Sequence, residues 1–157
     1  DSVIATNLRN RVLAAALAER GLLGCSGADA LELYSLQCCL EVTASDLAVM
    51  GATIANGGRN PVTGEQVVAP ELTHPVLAVM LSSGMYEDSG RWLYEVGLPA
   101  KSGISGGIVT VSPGKGALGL YSPPLDPAGN SVRGGLAARL LSAELGLDLL
   151  AASPDQR

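Results

Sequence analysis

The chain has 157 residues, 47% of them hydrophobic and 16% charged, with a net charge of −5. That length can bury a core of its own, and the apolar content excludes a disordered chain. The acidic balance offers no basic stripe for nucleic acid. The longest apolar runs, such as Val12 to Ala18, are too short for a membrane span, and no basic-plus-apolar leader is read at the start.

In chain order, Leu8, Val12, Leu13, Ala16 and Leu17 recur at helical spacing, with Gly21 placed as a stop. Ser26 with Asp29 three residues on reads as a helix cap, followed by a helix carrying Leu31, Tyr34 and Cys38. Thr43 and Asp46 repeat the signal before Leu47, Met50 and Ile54, and Gly57-Gly58 ends that helix. A polar Gly/Pro-containing loop follows, and Pro70 then suits the first position of a helix running to Gly84. His74, next to Pro75, reads as an ordinary residue near a helix start.

The pattern changes after residue 100. Ile108–Val111 and Ala117–Tyr121 are β-like runs joined by Ser112-Pro113-Gly114-Lys115-Gly116, a hairpin signature. Leu136, Leu140, Ala143 and Leu147 form a last helical stripe. Helices, then a hairpin, then a helix give an α+β order rather than alternating βαβ. Asp126 and Asn130 are expected to cap the last helix and fix the turn before it.

Three cysteines, Cys25, Cys38 and Cys39, show no C-x-x-C spacing, and the single histidine lies far away. Neither a disulfide framework nor a zinc site fits. They are expected as buried or half-buried free thiols, as in a reducing cytoplasm. The aromatics are Trp92, Tyr34, Tyr86, Tyr94 and Tyr121, with no Phe. On periodicity alone, Tyr34 belongs to the core stripe of its helix.

Three phrases carry the chemistry: Gly84-Met85-Tyr86, Lys101-Ser102-Gly103-Ile104 and Leu125-Asp126-Pro127-Ala128-Gly129-Asn130-Ser131. A Lys-Ser/Thr-Gly strand lines the active site of penicillin-recognising serine enzymes. In this wording, order and spacing the three phrases together resemble the serine-dependent glutaminases, which share the β-lactamase/penicillin-binding-protein-like fold. The resemblance runs from about Asn7 to Leu147 and corresponds to the later part of that family's catalytic domain. It implies a helical cluster packed on an antiparallel sheet, with residues 1–157 as the C-terminal portion of a single domain that lacks its N-terminal part.

The nucleophile in such enzymes is a serine opening a helix in a Ser-x-x-Lys motif, where one turn sets the lysine amine beside the hydroxyl. Of the two lysines, only Lys115 has a serine three residues before it, Ser112. That pair sits in a Pro-Gly turn between strands, so the nucleophile is expected to be missing. The resemblance implies hydrolysis of L-glutamine to L-glutamate and ammonia through an acyl-serine intermediate, without metal or organic cofactor. It implies Asn10 and Tyr34 as substrate contacts, Tyr86 as proton relay and substrate contact, and the Ile104 backbone N–H as oxyanion donor touching substrate. Lys101-Ser102-Gly103 becomes a strand wall, with Ser102 a polar contact.

The sequence departs from the family at several points. Cys39 stands where serine is usual and Ser83 replaces a common cysteine. Ile104 replaces valine, which a backbone donor does not sense. Val3 falls where the family carries a glutamate that pairs with the substrate ammonium. The resemblance also implies a homo-oligomer, dimer or tetramer, while cysteine usage suggests the cytoplasm and the charge and apolar runs suggest no nucleic-acid or membrane partner. Two other readings stand beside it. One is a catalytically incomplete fragment or remnant acting as a substrate-binding or oligomerisation module. The other is a β-lactamase or penicillin-binding protein, which shares the Lys-Ser-Gly logic but not the other two phrases.

Overall fold

The computed structural model describes residues 7–151, so Val3 lies outside the described residues. The chain forms two compact units, Asp1–Glu41 and Val42–Arg157.

In the first unit, α1 (Leu8–Glu19) and α2 (Gly27–Cys38) follow each other through a short turn. Ser26 caps α2 by accepting from the Asp29 N–H at 3.1 Å, as the sequence predicts. Asn7 Nδ2 donates to Ser35 Oγ at 3.3 Å, tying the start of α1 to α2. The three thiols overturn an expectation: Cys25, Cys38 and Cys39 are all exposed. Two helices have no interior beyond the seam between them, so residues off that seam face outward. Leu8, Val12 and Leu13 are exposed for the same reason, although their helical period is as expected.

In the second unit, α3 (Ala44–Ala55) opens with a full capping box. Thr43 Oγ1 accepts from the Asp46 N–H at 3.1 Å, and Asp46 Oδ2 accepts from the Thr43 N–H at 2.8 Å. These bonds hold the Asp46 carboxyl below 3.8, the backbone bond being the larger cause. The helix α4 (Pro70–Ser83) begins at Pro70, where the missing N–H costs nothing. His74 lies inside it. A 3₁₀ turn (Tyr86–Asp88) and α5 (Ser89–Val96) lead to β1 (Ala100–Ser102), β2 (Gly107–Ser112), β3 (Gly116–Tyr121) and α6 (Val132–Glu144).

The sheet is antiparallel in the order β1-β2-β3, with Ser102 opposite Ile108 and Ile108 opposite Leu120. Strand alternation sends Ala117 and Gly119 toward α3, and Ile108 and Leu120 to the other face. On the α3 side the backbones nearly touch, since a Cβ on Gly119 would lie 2.0 Å from the Ala44 carbonyl oxygen. On the other face Met85, Trp92, Val96, Leu98, Ala100, Ile108 and Ala138 form the buried cluster, with Leu120 and Leu147 against it. Two buried donors are satisfied across this layer: Trp92 Nε1 donates to Leu98 O at 2.9 Å and Ser142 Oγ to Val96 O at 2.7 Å.

The cap of α6 differs from expectation. Ser131 accepts from the Gly134 N–H at 3.2 Å, and Asp126 instead closes the preceding turn by accepting from the Asn130 N–H at 2.9 Å. The chain after α6 folds back on the sheet. Ser112 Oγ donates to Leu147 O at 2.8 Å, Lys115 Nζ donates to Gly146 O, and the Leu149 N–H donates to Gly97 O at 3.0 Å.

Candidate active site

Ser112 and Lys115 have a structural task. Both side chains are bonded to carbonyls after α6, and Ser112 is buried. The one Ser-x-x-Lys spacing in the chain is therefore a hairpin tether, in keeping with its turn setting.

Tyr86 is the feature around which the second unit's candidate site is built. Its φ is +55°, the one non-glycine residue with positive φ among the described residues. A bulky side chain in the left-handed region costs on the order of 1–3 kcal/mol, and such strain gathers at functional sites. The chain reaches this conformation between Gly84, at the end of α4, and the buried start of α5. Gly84 is needed because a Cβ there would lie 1.7 Å from the Ala100 carbonyl oxygen. That close approach lets the Ser102 N–H donate to Gly84 O at 3.0 Å, which fixes β1 beside the tyrosine turn.

From there the Tyr86 hydroxyl donates to the Ser102 carbonyl at 3.2 Å. Lys101 Nζ donates to the same oxygen and lies 4.8 Å from the centre of the Tyr86 ring, a cation–π distance. Alternation along β1 explains the split: Lys101 is exposed while Ser102 is buried. The Ser102 hydroxyl has no hydrogen-bond partner among the described residues. The wall is therefore built from the Lys101 amine and the Ser102 carbonyl, with the Ser102 side chain turned inward.

Ile104 sits at the tip of the β1–β2 connection and is 79% exposed. In that turn the Gly103 N–H donates to Gly107 O and the Gly106 N–H to Gly103 O, both at 2.9 Å. No backbone carbonyl among the described residues accepts from the Ile104 N–H. Gly129 locates it relative to the tyrosine: a Cβ there would lie 3.7 Å from Tyr86 Cε2 and 3.8 Å from Ile104 Cγ2. Tyr86, Lys101, Ser102 and Ile104 thus converge with the Gly129 turn on one patch. This arrangement holds a phenol hydroxyl and an ammonium beside an unengaged backbone donor, a set suited to moving a proton near a developing oxyanion.

In the first unit, Asn10 and Tyr34 meet as well. Both line a cavity of about 230 Å³ whose other walls are Leu13, Ala14, Leu17, Leu23, Ala30 and Leu31. Tyr34 is 53% exposed and so lies off the core stripe that periodicity suggests. Among the described residues no three His, Cys, Asp or Glu side chains converge as metal ligands.

Two supporting contacts escape the sequence reading. Ser89 Oγ accepts from the Met85 N–H at 3.1 Å and donates to Tyr86 O at 2.8 Å. Asn130 Nδ2 donates to Met85 O at 3.3 Å. Ser89 three residues after Tyr86 is a spacing that side-chain–backbone turns use, and so a signal for it existed. Asn130 lies in the Leu125–Ser131 phrase, but its contact with Met85 is 45 residues away in sequence and leaves no local trace.

Comparison with known proteins follows the same residues. The family model described as Glutaminase matches residues 1–150. Glutaminase 2 of Yersinia pestis is 58% identical over 153 residues, covering 98% of this chain and 45% of the relative. A glutaminase of Mycobacterium marinum is 50% identical over 145 residues, covering 92% of this chain and 45% of its own length. Among solved structures, a probable glutaminase, ybaS, superposes with TM-score 0.93 at 40% identity, over 96% of this chain and 49% of that one. The Bacillus subtilis glutaminase YbgJ, in covalent complex with 5-oxo-L-norleucine, gives TM-score 0.90 at 37% identity, over 95% and 53%. The chain thus spans about half the length of the relatives it matches. With the Tyr86 turn, the Lys-Ser-Gly strand and the matched sequence in agreement, this chain belongs to the glutaminase family.

Proposed function

We propose that this chain is the C-terminal portion of a glutaminase catalytic domain and supplies part of a site that hydrolyses L-glutamine to L-glutamate and ammonia. The observation that carries the reading is the Tyr86 hydroxyl held 3.2 Å from the Ser102 carbonyl beside the Lys101 ammonium and the Ile104 turn. The serine of the family's Ser-x-x-Lys motif, supplied by the part of the enzyme this chain does not match, gives its proton toward Tyr86 as its oxygen attacks the side-chain amide carbon, and the carbonyl oxygen becomes an oxyanion facing the Ile104 N–H. The C–N bond then breaks, and ammonia leaves with a proton passed through the Tyr86 hydroxyl. Water cleaves the resulting ester, glutamate departs and the serine recovers its proton. The family resemblance supports Asn10 and Tyr34 as substrate contacts, and in the second unit Ser102 contributes through its carbonyl. The YbgJ adduct supports the substrate class, because 5-oxo-L-norleucine carries its carbonyl at the carbon of glutamine's side-chain amide.

A homo-oligomeric, cytoplasmic protein completes the proposal. The family resemblance supports the oligomer, and three free thiols support a reducing compartment. Among the described residues no helix is long and apolar enough to cross a membrane. The fragment reading keeps one observation in its favour: the chain's Ser112/Lys115 pair is committed to structure. The test is a chimera in which this chain replaces the matched segment of the Yersinia pestis relative. Ammonia release from glutamine at a rate comparable with the parent supports the proposal. A folded chimera without turnover, beside an active parent, overturns it.

A further inference from the structure

The peptide planes on either side of the Tyr86 Cα are each gripped by a buried side chain. The plane before it is held through Met85 O, which accepts from Asn130 Nδ2 at 3.3 Å, and the plane after it through Tyr86 O, which accepts from Ser89 Oγ at 2.8 Å. The same Ser89 oxygen accepts from the Met85 N–H at 3.1 Å, so one hydroxyl uses its donor and an acceptor site on both flanks of the tyrosine. Ser89 is 6% exposed and Asn130 5%, so neither can exchange these bonds for water without opening the core. Two peptide planes that flank a Cα are related by φ and ψ together, so holding both planes holds that pair, and here φ of Tyr86 is +55°. Left alone, a tyrosine would leave that region, and its ring would swing away from Lys101 and the Ser102 carbonyl.

We propose that Ser89 is the positioning residue for Tyr86: its hydroxyl locks the tyrosine in the left-handed conformation from which the phenol reaches the Ser102 carbonyl and the Ile104 turn. This rests on the reading of Tyr86 as the proton relay, while the clamp itself is measurable without catalysis. Asn130 is the second jaw. It donates to a carbonyl that also accepts from the Asp88 N–H at 3.2 Å, just as Tyr86 O also accepts from the Ser89 backbone N–H, so each carbonyl has a main-chain donor besides its jaw.

The experiment has two arms. In the 157-residue chain, the backbone conformation of Tyr86 is read by NMR for wild type, Ser89→Ala and Ser89→Thr. The expected result is a negative φ in Ser89→Ala and the native positive φ in Ser89→Thr, which retains the hydroxyl. In the active chimera, Ser89→Ala should lower kcat about 10- to 100-fold with little change in KM, the size expected of a misplaced catalytic group. Ser89→Thr should restore most of it. In a Tyr86→Phe background, Ser89→Ala should cost almost nothing further, because the group it positions is already gone. Should Ser89→Ala fail to fold, Ser89→Cys, a weak donor of similar size, takes its place with the same expectations. An unchanged positive φ in the hydroxyl-free variant overturns the proposal, as does an equal loss of kcat in both backgrounds. If Tyr86→Phe alone leaves turnover intact, the relay reading fails, and the NMR arm still decides the clamp.

Discussion

Replacing Tyr86 with Phe separates chemistry from packing, because the substitution removes one oxygen and leaves the ring. In the structure that oxygen makes a single 3.2 Å bond to the Ser102 carbonyl. The carbonyl keeps the Lys101 amine as donor, so no buried acceptor is orphaned. The expected stability cost is therefore that of one ordinary hydrogen bond, about 0.5–1.5 kcal/mol. Backbone strain at φ +55° is the same for Phe as for Tyr and drops out of the difference. Loss of a proton relay, by contrast, lowers turnover by about 10²–10⁴-fold, or roughly 2.7–5.4 kcal/mol of barrier. The assay is ammonia release by the chimera, run alongside denaturant unfolding of the same preparations. Tyr94→Phe and Tyr121→Phe, at exposed positions, are controls and should be nearly silent. If Tyr86→Phe keeps more than about a tenth of the turnover against that expected loss, the tyrosine only packs, and the proposed mechanism loses its proton path.

Three further outcomes are expected. The 157 residues alone should release no ammonia above background, since the Ser112 and Lys115 side chains are bonded to Leu147 and Gly146 carbonyls; turnover abolished by Ser112→Ala would reverse this. Gly119→Ala should destabilise the second unit by about 3 kcal/mol through overpacking, because its Cβ would lie 2.0 Å from the Ala44 oxygen; an unchanged denaturation midpoint would contradict the helix–sheet contact. Asp46, whose carboxyl is held below 3.8 by Thr43, stabilises the fold above its unfolded value, and that contribution disappears as pH falls through the lower folded value. Asp46→Ala should accordingly unfold more easily than wild type at pH 7, with the gap closing in acid; a gap constant from pH 7 to pH 2 would show that the capping carboxylate plays no part.

What the sequence disclosed divides along the range of the interactions. Ser26, Thr43 with Asp46, and Pro70 act within a few residues of themselves, and each begins its helix where local pattern places it. The Ser112–Gly116 turn likewise gives the β2–β3 hairpin. Periodicity identified the face of α1 carrying Leu8, Val12 and Leu13, but a period names a face and not its neighbour, and the face is exposed. The thiol expectation failed for the same reason, since residue type reports an average burial and not that of a two-helix unit. At the candidate site, Tyr86, Lys101 and Ile104 were legible through the family phrases. The left-handed backbone of Tyr86 was not, because nothing in a tyrosine favours it. It exists through Ser89 and Asn130, whose bonds the fold supplies.

The length of those bonds along the chain sets a timetable for synthesis. Met85 waits for Asn130, 45 residues downstream, Val96 for Ser142, 46 downstream, and Ser112 for Leu147, 35 downstream. At about 5–20 residues per second, each wait lasts seconds on the ribosome, long compared with helix and hairpin formation. During that interval the Tyr86 turn has Ser89 but lacks its second jaw, the Trp92 layer lacks Ala138, and the hairpin lacks its tether. The second unit therefore closes late and in sequence, the Tyr86 turn gaining its second jaw before the hairpin gains its tether.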